Sequence, residues 1–132
     1  PCDEVMEQFA DFMGDHNLVA HNASFDKRFL DAELGRIYKS YHGDFACSLL
    51  VARRLYQDAP SHKLGALITY KNIPSGGGFH RALFDSEMTA KLWMTMLDDI
   101  SQIITAQDVP FRLIQTLSKT PKRGVNTLLL AE

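Results

Sequence analysis

Two aspartates and a histidine stand where this sequence could do chemistry. Asp26 heads an apolar stripe, with Leu30 and Leu34 four and eight residues beyond it, a spacing that stacks all three on one helix face. Asp85 repeats the arrangement ahead of Met88, Thr89, Leu92 and Met96. A carboxylate set at the edge of a buried face is costly unless something offsets its charge. A helix N-terminus offsets part of it, and a hard cation offsets more. The residues alone therefore leave two readings open, a pair of first-turn helix acids or a pair of metal ligands. His80 follows Gly76-Gly77-Gly78 and precedes the helix of Asp85. Five helical residues turn through about 140°, so His80 and Asp85 would not share a face if both were helical. The glycines release His80 from that constraint. A histidine on such a hinge beside a metal-binding carboxylate suits a general base; the plainer reading is a solvated loop residue.

The elements that must position these groups can be read from periodicity and breakers. Residues 3–14 predict an amphipathic helix with Val5, Phe9, Phe12 and Met13 as its stripe and Gly14 as its stop. Residues 18–20 predict a short buried strand. Asn22-Ala23-Ser24 predicts a turn and a cap, and residues 25–41 a second helix carrying Asp26. Residues 45–47 predict a second strand that leads into a helix over 48–56. A short helix over 63–71 precedes the triple glycine, the strongest breaker in the chain. A long helix follows over 81–104 with Met88, Leu92, Met96 and Ile100 inward. Two short helices, 110–118 and 121–131, close the sequence.

Composition narrows the class. The chain has 132 residues, 45% of them hydrophobic and 23% charged, enough apolar content for a core and too much for a disordered polypeptide. No apolar run approaches the roughly 18 residues of a membrane span, so no membrane partner is expected. No leader of basic and then apolar residues opens the chain. With Cys2 and Cys47 as its two cysteines, the expectation is a cytoplasmic protein with reduced thiols. The net charge of −2 excludes a histone-like binder but not an enzyme acting on nucleic acid. Charge is unevenly spread: residues 1–35 hold eight acids and two bases, residues 36–91 eight bases and four acids. The five histidines and two cysteines show no zinc-site spacing.

The segment Leu18-Val19-Ala20-His21-Asn22-Ala23-Ser24-Phe25-Asp26, running on to Phe29-Leu30, resembles the second motif of the DEDD exonucleases, of the bacterial polymerase III epsilon proofreading type. His80-Arg81-Ala82-Leu83-Phe84-Asp85, followed by Thr89-Ala90, resembles their third motif in its histidine form. The resemblance covers roughly residues 1–100 and implies an α/β, ribonuclease H-like fold. It implies a site with two divalent ions, Mg²⁺ or Mn²⁺, for removing nucleotides from DNA 3′ ends. On that resemblance Asp26 and Asp85 become metal ligands and His80 the base that deprotonates water. His21, Asn22 and Phe25 become candidates for contacts with the terminal nucleotides, while Asn22 and Phe25 equally suit a turn former and a core aromatic. A single-stranded DNA 3′ end and a polymerase subunit are the implied partners.

The departure is upstream. The family's first motif is Asp-x-Glu on the first strand, and nothing before Asp26 offers it. The expectation is a partial fold, mostly helices with two short parallel strands, the first three strands being absent. Residues 1–104 would be the C-terminal portion of an exonuclease domain and 105–132 a helical extension. As it stands such a chain should bind metal weakly and hydrolyse little. The open edge of its first strand should seek a second copy or the absent strands. The competing readings are an RNA-directed exonuclease of the same family and a non-catalytic relic that binds nucleic acid or a polymerase.

Overall fold

The fold is known from a computed structural model that describes residues 2–75 and 82–132. It divides into two units, Pro1–Cys47 and Ser48–Glu132. In the first, α1 (Cys2–Met13) leads to β1 (Leu18–Ala20), α2 (Ala23–Arg36) and β2 (Phe45–Cys47). The strands pair in parallel, Leu18 opposite Phe45, Val19 opposite Ala46 and Ala20 opposite Cys47. Parallel neighbours need a crossover, and α2 supplies it. The expected α/β character and both strands are thus present. Met13, Leu30, Leu34 and Tyr41 form the core here, with Met6, Ala10, Leu18, Ile37 and Phe45 packed around them.

The helix expected over 25–41 is corrected at both ends. It starts two residues earlier and stops at Arg36. Tyr38 turns left-handed at φ 58°, and the Lys39 N–H reaches back to the Leu34 carbonyl at 2.9 Å. That is a Schellman-type stop, usually given to glycine. The stop frees Tyr41 to leave the helix and enter the core. Its hydroxyl donates to the carbonyls of His16 and Asp44, and its ring meets Phe45 edge-on at 5.7 Å. Gly43 is required beside it: a Cβ there would collide with the Tyr41 side chain and come within 2.6 Å of the Asp15 carbonyl oxygen.

The second unit is helical throughout its described residues. It runs α3 (Ser48–Leu55), α4 (Leu64–Tyr70), α5 (Ala82–Ile104), α6 (Phe111–Lys119), a single 3₁₀ turn at Lys122–Gly124, and α7 (Val125–Leu130). The final helix expected over 121–131 is thus shorter, its first turn tightened after Pro121. The anticipated inward stripe of α5 holds: Met88, Leu92, Met96 and Ile100 are all buried. They share the core with Val51, Leu67, Ile68, Ile114, Leu117 and Leu129. α5 packs against α3, α4 and α7, and α3 against α6. A polar tie sits at the edge of this core. The buried Tyr56 hydroxyl donates to Asp99 Oδ2 at 2.5 Å, and Lys71 Nζ reaches the same oxygen at 3.1 Å while lying over the Tyr56 ring. Burial first, and then the Asp99 bond, pushes the Tyr56 hydroxyl far above its ordinary range. Among the described residues no helix is long and apolar enough to cross a membrane.

Candidate active site

The corner from β1 into α2 carries four of the expected residues. His21 leaves the strand half-buried, and Asn22 takes a left-handed conformation at φ 80°, ψ 60°, which asparagine tolerates better than most side chains. The turn expected at Asn22 is therefore present, but its capping bond is not: the Asn22 side chain makes none. Cys47 does that work instead. Its buried sulfur accepts the Ala23 N–H at 3.3 Å, satisfying one of the donors that every helix start leaves over. The Asn22 amide is left exposed at the corner.

Phe25 is not a core aromatic. It is 60% exposed, and Phe29, one turn on, is 62% exposed. The two rings share a helix face at i, i+4 spacing. Phe29 is a candidate that the motif reading leaves without a role, although its i, i+4 spacing from Phe25 signals the pairing. Asp26 lies beside them in the first turn of α2. The expectation of a buried Asp26 is corrected, because the residue is exposed; Leu30 and Leu34 behind it are the buried pair. Its carboxyl still loses enough water to be pushed above the ordinary aspartate range. A hydrogen bond from its own backbone N–H opposes that in part.

Asp85 lies in the second unit, in the first turn of α5. The residue is half-buried, and its Oδ1 atom is buried with no hydrogen-bond partner among the described residues. A buried acceptor without a donor costs free energy, and the expected carboxylate at the head of a buried stripe is found here. Oxygen of this kind is the donor that a hard divalent ion takes. The fit extends to the donor chemistry of Asp26 and Asp85 and stops short of a full site. No group of three or more histidine, cysteine, aspartate or glutamate side chains that could hold a metal occurs among the described residues. The two aspartates belong to different units. His80 lies outside the described residues.

An exonuclease family, RNase_T, matches residues 2–93. The match contains His21, Asn22, Phe25, Asp26, His80 and Asp85, and ends before α6. Among curated proteins, the DNA polymerase III PolC-type protein of Bacillus cereus is 35% identical over 99 residues, 74% of this chain and 7% of the relative. The protein of that name from Listeria innocua is 36% identical over 104 residues, 78% of this chain and 7% of its own length. The Bacillus subtilis protein is 34% identical over 101 residues, 75% of this chain and 7% of its own. The chain therefore spans about 7% of the length of these relatives. No solved structure gives a significant match.

Proposed function

The chain belongs to the exonuclease family, of the DEDD type, and from that premise we propose that it serves a metal-dependent 3′–5′ exonuclease that trims DNA ends for a replicative polymerase. The observation that carries the reading is Asp85 Oδ1, a buried carboxylate oxygen at the head of α5 without a hydrogen-bond partner among the described residues. A matching carboxylate heads α2, and both lie inside the family match.

In this reading Asp26 and Asp85 hold the divalent ions, Mg²⁺ or Mn²⁺. When bound, such ions activate water and stabilise the leaving oxygen of an in-line displacement. His80 takes the proton of the attacking water. The exposed Phe25 ring offers a stacking face to the terminal base, and the Asn22 amide and His21 imidazole offer hydrogen bonds to the terminal nucleotides. Asp-x-Glu is absent upstream of Asp26. The proposal is therefore that the ligand set is completed by carboxylates from outside these 132 residues, together with strands that cover the open edge of β1. Residues 1–104 act as the C-terminal portion of the exonuclease domain and 105–132 as its extension. A polymerase role sets the reaction in the cytoplasm.

The test is release of 3′-terminal nucleotides from 5′-labelled single-stranded DNA by the whole protein that carries this chain. Excision should require Mg²⁺ or Mn²⁺ and should rise with pH through the histidine range near about 6.5. His80→Ala should lower it about 10²–10⁴-fold and flatten that rise. Excision that proceeds undiminished in EDTA would refute the reading.

A further inference from the structure

The final segment of the chain, beyond the family match, carries a charge pattern that the proposed chemistry does not use. Residues 109–131 hold four basic residues, Arg112, Lys119, Lys122 and Arg123, and no acidic one. Residues 48–57, which include α3, hold Arg53 and Arg54 and likewise no acid. The fold of the second unit brings these two stretches together. α6 buries Leu113, Ile114 and Leu117 and packs on α3. Arg54, half-buried, donates from Nε to the Thr120 carbonyl at 2.8 Å and from Nη1 to the Leu50 carbonyl at 2.9 Å. Gln57 Nε2 donates to the Lys122 carbonyl at 3.2 Å and to the Arg54 carbonyl at 3.0 Å.

Those bonds fix the backbone at Thr120 and Lys122 against the end of α3. The side chains flanking them are therefore held in one neighbourhood. Arg53 precedes Arg54, Lys119 precedes Thr120, and Lys122 and Arg123 form the turn that follows. All four are exposed, and none makes an ion pair among the described residues. The ion pairs among the described residues lie elsewhere, at Lys27–Asp31, Arg36–Asp3, Arg36–Glu33, Lys39–Asp11 and Lys71–Asp99. Asp58, next to Gln57, is the acid that flanks them, which leaves the four cations in excess; like charges held near one another repel, at an energy that falls when an anion neutralises them. A chain of phosphates is the anion whose repeat matches several separate cations, and lysine and arginine are its usual ligands.

We propose that the exposed face formed by Arg53, Lys119, Lys122 and Arg123 binds the phosphate backbone of single-stranded nucleic acid. It rests on the exonuclease reading only for the choice of a DNA strand as the probe. The surface reads no bases, so its affinity is sequence-independent and falls with salt.

The experiment is fluorescence anisotropy of labelled oligothymidylate with the full chain in EDTA, where no excision occurs, over a series of salt concentrations. Each phosphate contact contributes about 0.7 to the slope of log affinity against log salt for a single strand. Lys122→Gln/Arg123→Gln should weaken binding roughly tenfold and flatten the slope by about 1.4. Lys122→Arg/Arg123→Lys should restore both. Lys39→Gln, which removes a cation paired with Asp11 in the other unit, should change neither. The two proposals fail separately, because excision is read in the whole protein with Mg²⁺ or Mn²⁺ and this binding is read in the 132-residue chain in EDTA. Formaldehyde cross-linking of the unsubstituted chain to oligodeoxycytidylate, whose exocyclic amine takes the methylene bridge from a lysine amine with loss of water, gives a readout independent of variant folding, with DNA adducts expected at Lys119 or Lys122. The proposal is overturned by adducts confined to residues 1–47, or by an unchanged slope in the double variant. It is also overturned if polyglutamate or anionic vesicles of equal charge displace the strand as well as free oligothymidylate does.

Discussion

The two units of this chain solve the burial problem differently. Among the described residues of 48–132, ten large side chains from five helices are almost wholly buried, among them Leu67, Leu92, Met96, Ile100 and Leu117. In residues 1–47 the corresponding residue is Leu34, while Val5, Phe9, Phe12, Phe25, Phe29 and Tyr38 are exposed. Two three-residue strands offer little surface against which two helices can pack. Charge divides the same way: nine acids and four bases in the first unit, seven acids and ten bases in the second. The second unit thus has the larger enclosed core, although Tyr70, Met94, Ile103 and Leu130 are exposed in it, and the first has a thin core and more of its large apolar residues on its surface. A helix stripe read from sequence says where apolar residues line up, and only packing decides whether they are covered.

That contrast can be broken by substitution. Leu92→Ala should have the largest effect on stability, about 3–5 kcal/mol, because the site is fully enclosed and collapses poorly. Leu30→Ala, in the thinner core, should cost about 2 kcal/mol. Urea unfolding followed by circular dichroism measures both, and equal losses would erase the distinction between the units. Gly43→Ala should cost about 1–3 kcal/mol by forcing Tyr41 from its place. Asp99→Ala should cost a similar amount, about 1–3 kcal/mol, by leaving the buried Tyr56 hydroxyl unpaired. Its loss should fall on the second unit, which native-state hydrogen exchange can resolve. Smallest of all, Phe12→Ser should change stability by no more than about 0.5 kcal/mol, yet it should reduce dye binding to exposed apolar surface.

The pH dependence of Asp26 sharpens the account on the acidic side. Its folded carboxyl sits above the ordinary value of 3.8 because of partial burial. As pH rises through that value, the unfolded chain releases this proton first, so stability falls until the folded carboxyl has ionised too. Asp26→Asn should remove this fall, read as a flatter melting temperature across the acid range. A bound divalent ion should reverse its direction, since it favours the charged form.

Much of this was legible in the sequence. The stripe of Met88, Leu92, Met96 and Ile100 fixed α5, and alternating breakers placed both strands, because each signal is local. Asp85 was legible as a carboxylate at the head of that stripe. What the sequence hid was set by contacts distant along the chain. Tyr41 looked like the next turn of α2, and its bonds to His16 and Asp44 take it out. Asn22-Ala23-Ser24 looked like a turn that caps its own helix, and Cys47, distant in sequence, supplies the capping acceptor to the Ala23 N–H. Phe25 suited a core position, and it is exposed because nothing described covers that face of α2.

The central proposal is that Asp26 and Asp85 serve the same reaction, as the family's second and third motifs imply. Asp26→Asn, Asp85→Asn and the double variant, assayed for 3′ excision in the whole protein with Mg²⁺, test it most directly. Each single substitution should lower kcat by several orders of magnitude, and the double variant should be little worse than the weaker single, as groups acting together show. Losses that multiply in the double variant, or a single variant that keeps near-normal excision, would contradict the account.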